Sequence, residues 1–457
     1  MMLPRASIGR NAARALRCNG NKQTVQRRGM AAAAAQPFEY AAGESAGVKL
    51  ACRELPGPTS TLTVVAKGGS RYEPFQGYAE VLEKFAFKST LKRSALRITR
   101  ETELLGGELS ASHSREGLVL SARFLTSDLP YYAELLAEVA SKTKYAQHEL
   151  DEVIFPLLKL SQASFAANPT AQALDSAHTV AFHKGLGNSL TPSYSTKNIS
   201  AEGIADFAKG VYTKPSIAVV SNGANAAEVS KWVGQFFADV PATGNVSPSQ
   251  QSQYFGGEQR VPSQAGNAIV LAFPGSSAFG TSEYKPELSV LASLLGGQSS
   301  IKWSTGSTIL AEAVESISGV QVSTKNAAYS DNGLFHITIS GSSASSVAQA
   351  SRKVVESLKK VAAGEVAAED VKKAVALSKF RALDASQSLS AGDEVTGSSL
   401  LYGGKPFSIL GTAQSVEKVT DAQLKAAAKN LLASKASVAT VGDLFSLPYA
   451  SDLGLTV

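Results

Sequence analysis

Apolar positions along the 457-residue chain recur at two spacings, and one order of segments occurs twice. Strand-length apolar runs stand at Val48-Lys49-Leu50-Ala51-Cys52, at Ser216 to Val220 and at Ser437 to Val441. Leu104 to Ser112 and Gly117 to Phe124 read as two strands. An amphipathic helix over Leu129 to Lys142 follows, with Pro130 in its first turn and Leu135, Leu136 and Val139 inward. Ile317 to Thr324 and Gly333 to Ile339 repeat the strand pair. The helix after them covers Ser345 to Ala362, with Val347, Val354, Leu358 and Val361 as its stripe. Ser200 and Thr420 each stand as N-cap before a helical pattern that leads into a strand. Matching segments lie 213 residues apart from Leu104 to Ile317 and 220 apart from Ile199 to Val419, so the pattern is that of a duplication. It predicts an α+β chain of two related domains, 31–240 and 254–457, each a sheet covered by helices. The polar stretch 241–253, which lacks apolar periodicity and holds two prolines, reads as the linker.

The net charge of +6 is unevenly placed. Before Glu39 the chain has Arg5, Arg10, Arg14, Arg17, Lys22, Arg27 and Arg28 and no acid, so +6 less these seven leaves −1 for the rest. Arg10, Arg14 and Arg17 share a helical face with Ala12, Ala13 and Leu16 between them. An arginine-rich, acid-free amphipathic start reads as a mitochondrial transit peptide over residues 1–30, rather than as a lysine-rich arm for nucleic acid. Cys18 falls inside it, which leaves Cys52 alone and a disulfide within the remainder excluded. The apolar runs are too short to span a bilayer. No nucleotide-binding glycine loop and no G-x-S-x-G nucleophile turn occurs, and His113, His148, His178, His183 and His336 are scattered without a ligand spacing.

The informative stretch is Ala79-Glu80-Val81-Leu82-Glu83-Lys84-Phe85-Ala86-Phe87-Lys88-Ser89-Thr90. On a helix Glu80, Glu83 and Lys84 stand at i, i+3 and i+4 and share one face, opposite Leu82, Phe85 and Ala86. Glu80 and Lys84 are spaced as a favourable ion pair. With Gly69-Ser70-Arg71-Tyr72-Glu73 ahead of it, the stretch resembles the H-x-x-E-H zinc helix of inverzincin peptidases. Glu80 then stands at the first histidine position, Glu83 at the retained glutamate and Lys84 at the second histidine. A lysine ammonium has no lone pair for zinc and repels it.

Beyond this helix, the chain resembles the pitrilysin-like metallopeptidase family in its mitochondrial branch. Gly69 to Glu73, the altered helix, Tyr254-Phe255-Gly256-Gly257-Glu258-Gln259-Arg260, and Val441-Gly442-Asp443-Leu444 with Leu447-Pro448-Tyr449-Ala450 carry that resemblance. The branch holds the subunits of the matrix processing peptidase and the core subunits of ubiquinol–cytochrome c reductase, respiratory complex III. The last two stretches point to the core subunits. The resemblance implies two halves facing each other like a clam, with the linker as hinge. It places the third zinc ligand at Leu157 or Leu160, beside a Pro156 expected to kink that helix, so no metal, cofactor or catalytic residue is expected. It implies a non-catalytic scaffold on the matrix side of the mitochondrial inner membrane, in a dimeric complex. Core subunit 1, cytochrome b and cytochrome c1 would be its partners, with membrane contact only through them. The alternative is the non-catalytic alpha subunit of the processing peptidase, a presequence binder. The glycines of Leu294 to Gly306 are scattered, unlike the glycine-rich loop of that subunit.

Overall fold

The computed structural model describes residues 39–191, 198–244, 251–281, 283–298, 306–384 and 392–457. The expected transit peptide, the middle of the expected linker (245–250) and most of the glycine-containing stretch 294–306 lie outside these residues. In the first half, β1 (Ala41–Ser45), β2 (Val48–Arg53) and β3 (Thr59–Ala66) lead through α1 (Tyr78–Phe85) and α2 (Ala95–Leu105) to β4 (Glu108–His113) and β5 (Leu118–Leu125). Then come α3 (Leu129–Lys142), α4 (Phe155–Ala166), α5 (Pro169–Phe182), α6 (Ala201–Val211), β6 (Ile217–Asn222) and α7 (Ala226–Phe236). The second half opens with β7 (Gly257–Pro262), β8 (Asn267–Pro274), α8 (Pro286–Leu295) and α9 (Ile309–Val314), followed by β9 (Val320–Ala328) and β10 (Gly333–Gly341). It continues with α10 (Ala344–Ala363), α11 (Ala368–Asp384), α12 (Asp393–Gly403), α13 (Ile409–Glu417), α14 (Asp421–Ala433) and β11 (Ser437–Gly442).

The described strands form two sheets, β1-β2-β6-β3-β5-β4 and β7-β11-β8-β10-β9. Leaving out β1, the order is the same in both. The last strand of each half runs parallel to the first and antiparallel to the next, β6 between β2 and β3, β11 between β7 and β8. The expected N-caps are present. Ser200 accepts from the Gly203 amide, and Thr420 forms a capping box with Gln423. One expected strand start is corrected. Leu104 belongs to α2, which ends where Gly106 takes a left-handed conformation (φ 70°), so the strand begins at Glu108.

Both faces of each sheet are buried, and the two cores on each follow alternate residues. In the first sheet Leu62, Val64, Leu118, Leu120 and Val219 face the helices of their own half, with Val81, Phe85, Leu136 and Ile204. Val65, Val119, Ala218 and Val220 face the other way and meet Leu400 and Leu401 of α12, which comes from the second half. The second sheet mirrors this. Ile269, Leu271, Phe335 and Ile337 pack on their own helices. Ala268, Val270, Ala272, Ala439 and Val441 pack on Ala173, Ala177 and Ala181 of α5, from the first half. Each half therefore lends one helix to the other's sheet. Close approach depends on small residues: a Cβ on Gly397 would sit 2.4 Å from Val65 Cγ2, and the alanines of α5 recur every fourth residue on one face.

Candidate functional site

The altered helix α1 starts at Gly77, whose left-handed φ of 95° turns the chain into it. The Glu73 carboxylate caps this start, accepting from the amides of Gly77 (3.0 Å) and Ala79 (3.2 Å). The unpaired amides of a helix N-terminus need an oxygen acceptor, and this carboxyl supplies it. Both sides of α1 are covered. Tyr78, Val81, Leu82 and Phe85 enter the core, and Glu80 is only 2% exposed. Glu80 is thus buried, while Glu83 and Lys84 on the same face remain partly exposed. The expected pairing also changes: Lys84 Nζ lies 2.7 Å from Glu83 Oε1, not on Glu80.

Glu83 has a second partner that spacing along the chain did not show. β4 runs beside α1, and Nδ1 of His113 at its end meets Glu83 Oε2. Nε2 of the same ring pairs with the Leu190 carbonyl at 3.0 Å. Burial alone would raise the Glu83 carboxyl, but the hydrogen bonds from His113 and Lys84 bring it below its ordinary value. Burial would lower the His113 imidazole, and the Glu83 bond reverses this, so it is raised. Burial pushes Glu80 up despite a hydrogen bond from Ser161, and pushes Glu73 up to about 8 against its two amide donors. The result is an ionised Glu83 between two cations, flanked by two carboxyls held toward their protonated form.

Leu157 and Leu160 on α4 are 40% and 67% exposed, and the α4 side chain that reaches Glu80 is Ser161. Pro156 is accommodated without breaking the element. Leu150 to Ile154 form a π-helical turn just before it, and Pro156 sits in the first turn of α4 where its missing N–H costs least. His178 Nε2 pairs with Tyr329 Oη (2.8 Å), and His183 stacks on Phe255 with centroids 4.2 Å apart. Sequence reading missed His113, Glu73 and Ser161. Glu73 had a signal, four residues before the glycine that opens α1, whereas His113 and Ser161 join the cluster only through packing.

These residues do not fit the metal that the helix frame implies. Both Glu83 oxygens are engaged by His113 and Lys84, an ammonium stands among the donors, and a serine hydroxyl replaces an anionic ligand. Among the described residues no group of three or more His, Cys, Asp or Glu converges as a metal site.

Residues 49–192 match the model for Insulinase (Peptidase family M16), and residues 198–377 match the Peptidase M16 inactive domain. The chain is 50% identical over 462 residues to the mitochondrial cytochrome b-c1 complex subunit 2 of Neurospora crassa, covering 100% of both chains. The subunit 2 of Yarrowia lipolytica is 39% identical, across 93% of this chain and 99% of the relative. The human subunit 2 is 29% identical, across 89% and 90%. The chain therefore belongs to the M16 peptidase family, in the same group as the mitochondrial cytochrome b-c1 complex subunit 2 proteins.

Proposed function

We propose that the chain is a non-catalytic core subunit of mitochondrial respiratory complex III, a scaffold needed for assembly and stability of the electron-transferring complex. The observation that carries this reading is the cluster around α1. Glu83, the position that would polarise a metal-bound water in a zinc peptidase, is instead neutralised by His113 and Lys84. The full-length identity to a named complex subunit supports the same conclusion. Core subunit 1, cytochrome b and cytochrome c1 are the proposed partners within a dimeric complex. Peripheral attachment on the matrix side is the proposed position, with the first 30 residues as the import signal. Among the described residues no helix is long and apolar enough to cross a membrane, which agrees with attachment through partners. We further propose domain limits at 31–240 and 254–457. The described strands of one sheet all lie between Ala41 and Asn222, and those of the other between Gly257 and Gly442.

Mild-detergent purification of the tagged chain from mitochondrial membranes tests this reading. Recovery with haem b and haem c absorbance is the expected result. Recovery with a soluble zinc-containing partner and no haem would overturn it in favour of the processing-peptidase alpha subunit.

A further inference from the structure

Two buried arginines meet at the turn between β4 and β5. Arg71, from the Gly69–Glu73 stretch, donates to Glu116 at 2.6 Å and makes a two-pronged contact with Asp331 of the second half at 2.9 and 2.6 Å. Glu116 in turn accepts from the amide (2.9 Å) and the hydroxyl (2.5 Å) of Ser330. Asp331 also takes the Ser252 amide at 2.8 Å. Arg115 points the other way. It donates to Asp175 on α5 (2.5 Å) and to the carbonyls of Leu186 and Asn188. The Asp175 carboxylate also holds the Ser189 hydroxyl and the Leu190 amide. The Leu190 carbonyl rests on His113, and Asn188 donates to the Ser70 carbonyl at 2.7 Å.

The segment Gly185–Leu190 is thus a strap held by six hydrogen bonds, from Leu186, Asn188, Ser189 and Leu190 to Arg115, Ser70, Asp175 and His113. The turn Tyr329–Asp331 is pinned beside it from the second half. Arg71, Arg115, Glu116 and Asp175 are each at most 9% exposed, so their charges are met by one another rather than by water. A protein that exchanged substrates between its halves would have to break these desolvated, charge-assisted contacts at each opening.

We propose that Arg71 and Arg115 form a double lock, Arg71 holding the two halves together and Arg115 holding the strap against α5 and the β4–β5 turn, where Leu190 meets the His113 that pairs with Glu83. The Gly69–Glu73 stretch is then retained because it builds the junction, independently of any metal.

Amide hydrogen exchange on the full mature chain tests the lock, with Asp175→Asn, Ser189→Ala and Asp331→Asn compared with wild type. Asp175→Asn should speed exchange at least tenfold across 186–190 and in α1, with β8, β10 and β11 unchanged. Ser189→Ala removes only a hydroxyl and should give the same pattern at smaller amplitude, which covers a poorly folding Asp175→Asn. Asp331→Asn should loosen 329–333 and 252–254 and leave the strap protected. Equal acceleration across both sheets, or no change at 186–190 in either strap variant, would overturn the proposal.

Discussion

His113 and Glu83, thirty residues apart in the chain, share a hydrogen bond between β4 and α1. Lys84 binds the other Glu83 oxygen. A buried carboxylate with a cation on each side is stable only while both remain, because removing one leaves desolvated charge. His113→Ala should therefore destabilise the chain by about 1–3 kcal/mol in urea unfolding. A double-mutant cycle with Glu83→Gln should show coupling of about 0.5–3 kcal/mol. Additive effects would mean that the pair is incidental.

Ser161, rather than Leu157 or Leu160, faces Glu80. A chain carrying Glu80→His, Lys84→His and Ser161→Glu should retain close to one zinc per molecule after dialysis, because two imidazoles and a carboxylate would then converge. The same double-histidine variant with Leu160→Glu should retain none. Equal zinc in both, read by elemental mass spectrometry, would place the ligand position elsewhere.

The pH dependence has a definite sign. Asp393 at the start of α12 accepts from Thr63 (2.8 Å) and Asn222 on the first sheet, with Arg53 and Tyr40 nearby. Burial pushes its carboxyl up to about 7, and pushes Glu73 to about 8. Each is raised above its unfolded value, so the native state holds protons that the unfolded chain releases. Their contribution is fully present below the unfolded values near 4 and is lost as pH rises through the folded ones. The raised His113 acts in the same direction above its own unfolded value. Glu83 and Asp331 are lowered and add stability already complete above the ordinary carboxylate range. Buried His178 and His336 are lowered and oppose this trend up to the ordinary histidine value, so unfolding stability should fall between about pH 6.5 and about pH 8, and Asp393→Asn should flatten that fall. An unchanged slope in the variant would show that Asp393 is not the group responsible.

Gly397 lets α12 lie on the first sheet at a distance no side chain allows. Gly397→Val should cost about 1–3 kcal/mol through overpacking against Val65. Val65→Ala should recover part of that loss, seen as a rise in Tm of the double variant over Gly397→Val alone. No recovery would locate the strain in the helix itself.

Arg260 on β7 holds the carbonyls of Leu444, Leu447 and Pro448 at 2.7 to 3.0 Å and lies over the Tyr449 ring at 3.7 Å. Arg260→Ala should free this turn and cost about 1–3 kcal/mol. Limited proteolysis should then cut within 443–449, where Phe445 is fully exposed. Resistance equal to wild type would show that the turn holds without the arginine.

Local chemistry was readable wherever neighbours in sequence decide the outcome. The helix over Leu129 to Lys142 was legible from its apolar stripe and early proline, and the caps at Ser200 and Thr420 from residue type alone. The duplication was legible because both copies keep one periodic order, and the two sheets share one strand order as a result. Lys84 at a histidine position of the altered helix was legible from residue type, since an ammonium has no lone pair to offer a metal.

Tertiary structure alone decided what surrounds those elements. His113 and Ser161 join Glu83 and Glu80 only because β4 and α4 pack beside α1, a contact that no spacing encodes. Leu157 and Leu160 were placed by the family's ligand spacing, whereas packing leaves both exposed and brings Ser161 of α4 to Glu80. The exchange of α5 and α12 between the halves is likewise invisible in sequence. A small-residue stripe specifies close packing on some sheet but not on which one, and that choice is fixed by chain reach and by the partners available when both halves fold together. The family frame and the repeat were therefore legible in the chain alone, because neighbouring residues and their spacing carry both. The fold determined how the vacated charge is balanced and how the two halves are held as one body.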